Sequence, residues 1–399
     1  MTMEQEMTLD LPEWVPRLRG PGGRPLRVAH LTTVDMSLAL LLATELEVDV
    51  LSGLRTFGIS APGPYVPQLD ALGVEHLPLQ SLTRSWDLRR DARSVGELAR
   101  ALRRLRLDVL HTHNPKTGVI GRVVGRAAGV PVVVNTCHGL WVQRGDRLAK
   151  KALVYGAEAA AARLSHAELY QNSADRDTLR RAVGARRAQV VGNGTDLARF
   201  RPDARARQRV RAELGVRDDE LLVGGVGRLV AEKGIAEFGE AASALRHRAR
   251  FVWVGPSDSD KPDAVAGAVA GIEMLGERTD MAAVYNALDV FVLPSYREGF
   301  SRSAMEAAAC AKAMVLTDIR GCREIGEHER HLLLVAPRDA CGLARVIERL
   351  LDDQDLRVRL ADAALGRAQA SFDQRRVAVE SLRTYSQIAR RRRLGWVTG

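Results

Sequence analysis

The stretch 290-VFVLPSYREGFSRSAMEAAACAKAMVL-316 decides the fold. Val290, Phe291, Val292 and Leu293 are apolar on successive residues, as a strand buried on both faces is, and Pro294 and Ser295 end it. Gly299 and Ser301 then open an alanine-rich segment with helical character. A second β-branched and apolar run follows from Ala313 to Leu316. Strand, turn, helix and strand in that order make a βαβ unit, which sets two parallel strands in one sheet.

Working outward, the same alternation covers most of the chain. Strands are predicted at LRVAHL, TFGIS, VEHLPL, DVLHTH, VVVNTCHG, HAELYQN and AQVVGN in the first half. In the second half they are predicted at LLVGGVGRL, RFVWVGP, IEMLG, DVFVLPS, AMVLTDI and HLLLVAP. Segments with helical spacing lie between several of them, such as Leu98, Leu102 and Leu105, or Leu343, Val346, Ile347 and Leu350. This is too many strands for one doubly wound sheet, and 399 residues exceed what one core usually serves. Turn formers and Pro202 in NGTDLARFRPDARAR interrupt the pattern. The expectation is an α/β chain of two Rossmann-like domains with parallel sheets facing an interdomain cleft. A flexible extension over 1–24 precedes a first domain over 25–199. A second domain covers 200–374, and a C-terminal helix and basic tail over 375–399 cross back to the first. Ligands of such sheets bind beyond the carboxyl ends of the strands.

Composition narrows the class. Apolar residues at 46% and charged residues at 27% are those of a globular chain, and SLALLLATEL is far too short to span a bilayer. The net charge of +10 rests almost wholly on arginine, lysine occurring only at 116, 150, 151, 233, 261 and 312. Such a balance suits an anionic partner, whether nucleic acid, acidic membrane or phosphorylated substrate, or else a solvated arginine-rich surface. No nucleic-acid-reading module is present, so no nucleic-acid partner is expected. The four cysteines have neither Cys-x-x-Cys nor zinc spacing and read as reduced thiols of a cytoplasmic protein.

Two motifs carry chemistry. In GRLVAEKG, after the strand LLVGGV, Arg228 and Lys233 sit in a loop leading into a helix, whose free N–H groups favour anions. Two cations there suit a diphosphate and its departure. The bland reading is two surface charges on a turn. In the opening stretch, Glu298 sits in the turn and Glu306 about two helical turns later on a comparable face. A carboxylate accepts two hydrogen bonds side by side, so Glu306 suits a ribose diol and Glu298 suits sugar hydroxyls or a developing positive charge. Backbone N–H groups at Gly299 and Ser301 can meet a phosphate or sugar oxygen.

GRLVAEKG, PSYREGFSRSAMEA and TDIRGCREI, in this order, resemble family 4 of the retaining GT-B glycosyltransferases. DVLHTHNPKTGVIGRVVGRAAGVPVVVNTCHGL is similar to the branch that builds bacterial capsular and lipid-linked polysaccharides, and GNGTDLARFRP resembles its interdomain segment. The resemblance implies transfer of a sugar, with retention, from a nucleotide-diphosphate sugar to a hydroxyl acceptor. That acceptor is either a polyprenyl-diphosphate-linked saccharide or a soluble natural product. It also implies no metal and no cofactor, the diphosphate being neutralised by Arg228 and Lys233. By the same resemblance Glu298 lies near the donor sugar, Gly299, Phe300 and Ser301 supply close backbone contacts, and Glu306 holds the ribose. His138 in TCHGL matches the histidine beside the reacting sugar, a role that rests on the resemblance alone. A peripheral place on the inner face of the plasma membrane follows from such an acceptor.

The chain departs from the family pattern at three points. TTVDMS, with Asp35, stands where relatives carry a glycine pair. Ala311 and Ala313 stand where glycine and proline are usual, and EHERHLLLVAPRD is unusually charged. A non-catalytic nucleotide-sugar-binding scaffold on the same fold is the alternative these departures raise. Asp258 and Asp260 in DSD read as a turn. His111 and His113 point to one side of a strand, but no third ligand has metal spacing, so no metal is assigned. The segment 84–106 combines eight arginines with an apolar stripe that packs either on the sheet or on anionic lipid. Lys116, before a helix start, is a candidate for an acceptor phosphate.

Overall fold

The computed structural model describes residues 15–398 except 86, 114, 141, 143–146, 185, 259, 260 and 262. The chain divides into two compact units, Met1–Gly192 with Gln374–Gly399, and Asn193–Asp373. The first division therefore falls seven residues before the expected position at 199.

The first unit contains β1 (Leu18–Arg19), β2 (Arg27–Val34), β3 (Arg55–Ala61), β4 (Glu75–Pro78), β5 (Val109–His113), β6 (Val132–Cys137), β7 (Ala167–Tyr170) and β8 (Ala188–Val190). Seven of these form one parallel sheet in the order β4-β3-β2-β5-β6-β7-β8. The order reverses between β2 and β5, so that pair is the unit's switch point. Val28, Ala29, Val109, Leu110, Val132 and Val133 are wholly buried, as strands covered on both faces require.

The second unit contains β9 (Leu221–Val226), β10 (Ala249–Val254), β11 (Glu273–Met274), β12 (Val290–Leu293), β13 (Ala313–Thr317) and β14 (Leu333–Val335). They form a six-stranded parallel sheet ordered β11-β10-β9-β12-β13-β14. Its switch point lies between β9 and β12, the strands that precede GRLVAEKG and SYREGFS. All thirteen predicted strands are present in these two sheets.

Two expectations about the ends of the chain change. Residues 1–14 of the expected flexible extension lie outside the described residues. The rest of it is built in: β1 pairs antiparallel with Val397–Thr398, Leu18 is fully buried, and Arg24 makes a bidentate pair with Asp108 at 2.6 and 2.8 Å. The helix Gln374–Arg392 buries Ala378, Val379, Leu382, Tyr385 and Ile388 in one cluster with Val28, Val48, Val109 and Val132 of the first unit. The apolar stripe of 84–106 is also split. In the helix Leu88–Leu105, Leu98, Leu102 and Leu105 pack inward, whereas Leu88, Ala92 and Val95 are exposed among arginines.

Candidate active site

In the second unit, close backbone packing builds the site at the carboxyl edge of β9 and β12. After β9 the chain forms a short 3-10 turn, Ala231–Lys233, that ends at Gly234 with φ +70°. A Cβ on Gly234 would lie 2.1 Å from the Pro294 carbonyl oxygen, so only glycine lets the turn sit against the loop after β12. The Tyr296 amide donates to the Glu232 carbonyl at 2.8 Å, and Arg297 donates to the Glu232 carboxylate at 2.9 Å. These contacts bring two segments some 65 residues apart together, and Lys233 Nζ then donates to Glu298 Oε1 at 2.7 Å. Both side chains are largely shielded, at 17% and 12% exposure, so the pair is worth more than a solvated surface bridge.

Arg228 leaves the end of β9 and pairs with Asp258, with Glu232 at 3.6 Å on its other side. Asp258, which the sequence marks only as a turn acid, is the ion-pair partner of Arg228. Asp260 lies outside the described residues. Arg228, Lys233 and Glu298 thus gather at one sheet edge, held by alternating acids and bases. A polyanion arriving there meets cations already fixed in place, and its charge can replace that of the carboxylates.

Glu298 and Glu306 do not share a helix face. The helix begins at Arg302 and ends at Ala309, so Glu298 belongs to the preceding loop. Ser301 caps the helix, its hydroxyl accepting from the Ala304 amide at 3.4 Å. Gly299 and Phe300 lie between, and Asn193 donates to the Phe300 carbonyl at 3.2 Å. A Cβ on Gly321 would sit 2.4 Å from the Glu298 oxygen and 2.8 Å from that of Gly299, so this glycine supports the loop from beneath. Tyr285 Oη donates to Glu306 Oε2 at 2.8 Å. Burial pushes the Glu306 carboxyl up to about 6, against the opposing pull of the Tyr285 hydrogen bond and of Arg302. Tyr285 and Gly321 were not singled out in the sequence; Gly321 stands in the quoted TDIRGCREI, and nothing local marks Tyr285.

His138 belongs to the first unit and follows β6. Its Nε2 lies 3.0 Å from His113 Nδ1, and its Nδ1 lies 2.9 Å from Gln171 Nε2. His30, Glu45, His111 and His113 bring ligand atoms within 4.8 Å of one another. The sequence showed only the two histidines of β5, because the other two residues arrive from β2 and the helix Ala43–Leu51. Every ring nitrogen in this set already has a hydrogen-bonding neighbour. His111 has Tyr385 Oη at 2.6 Å and Thr136 Oγ1 at 2.7 Å, and His30 has His113 and Asp49.

Two further sequence candidates have structural work. Asp35 is buried and accepts from the amides of Met36 at 2.8 Å and Tyr65 at 2.7 Å, so it braces the loop after β2. Lys116 is only 4% exposed, pairs with Asp91 and donates to the carbonyls of Thr83 and Ser85. A group so engaged is poorly placed for an acceptor phosphate.

Residues 30–194 match the model of the glycosyl transferase 4-like domain, and residues 220–353 match that of glycosyl transferases group 1. The D-inositol 3-phosphate glycosyltransferase of Frankia alni is 32% identical over 405 residues, covering 92% of this chain and 95% of its own. The UDP-Gal:alpha-D-GlcNAc-diphosphoundecaprenol alpha-1,3-galactosyltransferase of Escherichia coli is 28% identical over 308 residues, covering 74% and 79%. Among solved structures, sucrose-phosphate synthase from Thermosynechococcus elongatus superposes with a TM-score of 0.79 at 22% identity, covering 92% of this chain and all of that one. The Anabaena protein HepE, solved in complex with UDP, superposes with a TM-score of 0.76 at 20% identity, covering 91% and 100%. No helix among the described residues is long and apolar enough to cross a membrane.

Proposed function

The chain is a glycosyltransferase of family 4 with the GT-B fold, and from that premise we propose that it moves a sugar from a nucleotide-diphosphate sugar to a hydroxyl acceptor with retention of configuration. The observation that carries this reading is the cation pair at the β9–β12 switch point: Lys233 held by Glu298, with Arg228 beside it. Bond breaking at an anomeric carbon leaves a diphosphate with growing negative charge. Fixed cations that meet that charge lower the barrier without reorganising at the moment of reaction. Glu298, on the loop after β12, lies near the donor sugar in this reading and offsets the positive charge that develops on the ring. Glu306 accepts the ribose hydroxyls, and Gly299, Phe300 and Ser301 offer backbone to the donor.

No carboxylate in this set is freely poised to form a covalent glycosyl intermediate, since Glu298 is engaged with Lys233 and Glu306 with Tyr285. Same-face attack assisted by the leaving diphosphate accounts for retention in this reading. The Escherichia coli and Frankia alni relatives are named for a diphosphoundecaprenol-linked sugar and for an inositol phosphate. The first favours a polyprenyl-diphosphate saccharide as acceptor here. The exposed Leu88, Ala92 and Val95 among arginines would let the chain work at an anionic membrane surface.

The test is transfer of labelled sugar to extracted lipid acceptor, with donors first ranked by the melting shift that UDP-, GDP- and dTDP-sugars produce. Lys233→Ala is expected to lower turnover by on the order of 10²–10³ while the fold persists. Wild-type turnover in that variant rejects the clamp. Nucleotide binding with no glycoside formed would favour a scaffold.

A further inference from the structure

The first unit contains a line of hydrogen-bonded side chains that the proposed chemistry does not use. It starts at Asp49 in the helix Ala43–Leu51, whose Oδ2 lies 2.8 Å from His30 Nε2. His30 Nδ1 lies 3.1 Å from His113 Nε2, and His113 Nδ1 lies 3.0 Å from His138 Nε2. The line ends at the Gln171 amide, 2.9 Å from His138 Nδ1. Asp49 and His30 are fully buried and His113 is 1% exposed. The three rings come from β2, β5 and the loop after β6, neighbouring strands of the sheet, and the switch point lies between the first two.

Each neutral imidazole has one donor and one acceptor nitrogen. A carboxylate at Asp49 accepts, so His30 carries its proton on Nε2 and must accept at Nδ1. His113 is then protonated on Nε2 and accepts at Nδ1, and His138 is protonated on Nε2 in turn. That leaves His138 Nδ1 as an acceptor, which is what a Gln171 amide nitrogen requires. Both ends of the line demand the same direction, and one tautomer at each ring satisfies all four bonds.

Resting on the reading of His138 as the histidine beside the reacting sugar, we infer that Asp49, through His30 and His113, is a positioning residue that holds His138 as the neutral Nε2–H tautomer. The benefit is electrostatic. A cationic imidazolium facing an anomeric carbon that is itself becoming cationic would oppose the reaction. A neutral ring held in one orientation avoids that repulsion. The surroundings agree: burial drives the basicity of His111 and His113 well below the ordinary range. His30 is raised, Asp49 and Glu45 outweighing its burial. An extra proton on His30 would turn its Nδ1 into a donor and reverse the line, so the proposed tautomer of His138 requires a neutral His30. His30 and His113 also converge with Glu45 and His111 closely enough for a cation, but a nitrogen that coordinates an ion cannot also make the hydrogen bond seen here.

The tautomers are read directly from long-range proton–nitrogen correlations in protein labelled with 15N-histidine, at one neutral pH. Wild-type His138 is expected to be protonated on Nε2 alone. Asp49→Asn, which keeps shape but loses the charge, and His113→Phe, which interrupts the line, are each expected to shift the His138 nitrogens toward a mixture of tautomers. Turnover should fall on the order of tenfold with donor KM changed less than about twofold, as for the partners that orient a functional histidine. A wild-type His138 protonated on Nδ1 overturns the proposal without any variant, so it does not depend on either variant folding. An unmoved His138 signal in both variants overturns it as well, as does one equivalent of metal in the protein as purified. Because the tautomer is read from a spectrum, the two readings fail separately. A chain that transfers no sugar yet shows the coupled tautomers removes the proposed function alone. A Lys233-dependent transferase whose His138 ignores Asp49 removes the relay alone.

Discussion

Glu306 shows how one side chain is tuned by the place it is carried to. Its carboxyl is raised to about 6 from an ordinary 4.5 chiefly because the helix Arg302–Ala309 takes it out of water. The folded chain then binds more protons than the unfolded chain between pH 4.5 and 6. Linkage requires that Glu306's contribution to stability be present below that window and lost as pH rises through it. Glu306→Gln is expected to be more stable at pH 7.5 by about 1–2 kcal/mol and to lose this slope, measured by urea unfolding across pH. Under the proposed ribose role the same variant binds the nucleotide diphosphate more weakly. Equal nucleotide affinity in the variant would leave Glu306 a structural acid only. At this scale the sequence showed residue types well and partners poorly. Lys233 and Glu298 stood in separate motifs, and the packing of Gly234 on Pro294 with the bonds of Tyr296 and Arg297 to Glu232 made them a pair.

Among the elements, the helix Arg302–Ala309 is the one whose ends matter most. Its start is set by Ser301, and its end by Ala311, which adopts φ +54°. The left-handed backbone there suits glycine, the residue that the family resemblance implies at this position, since a Cβ costs roughly 1–2 kcal/mol. Glycine in its place also loosens the unfolded chain, which offsets about 0.4–1 kcal/mol of the gain. Ala311→Gly is therefore expected to raise stability by roughly 0.5–1 kcal/mol, visible as a higher urea midpoint with an unchanged slope. A lower midpoint would show that packing around residue 311 outweighs backbone strain. The elements themselves were legible, because buried parallel strands are apolar on every residue and leave a strong signal. The expected shared face of Glu298 and Glu306 was not, since spacing cannot say where a helix begins.

For the whole molecule, the two units differ in how their chains close. The second is continuous, from Asn193 to Asp373, and its buried clusters use its own residues alone. The first needs both ends of the chain: the helix Gln374–Arg392 fills its core, and Val397–Thr398 pairs with β1. Expressed separately, 193–373 is expected to unfold cooperatively on heating, while 1–192 should remain aggregated until 374–399 is supplied. A cooperative melt from 1–192 alone would show that the returning helix is dispensable.

The sequence by itself determined the thirteen parallel strands, the presence of two α/β units and the family, because backbone pattern and motif order are local and survive in one dimension. It also marked Arg228, Lys233, Glu298 and Glu306 by type and spacing. Only the tertiary structure decided which charges meet: Lys233 with Glu298, Arg228 with Asp258, Glu306 with Tyr285, and Asp49 with three histidines in line. Sheet order creates those pairings. Parallel strands adjacent in a sheet are separated by a helix or more in sequence, so the neighbours of a side chain at the carboxyl edge are set by topology and not by distance along the chain.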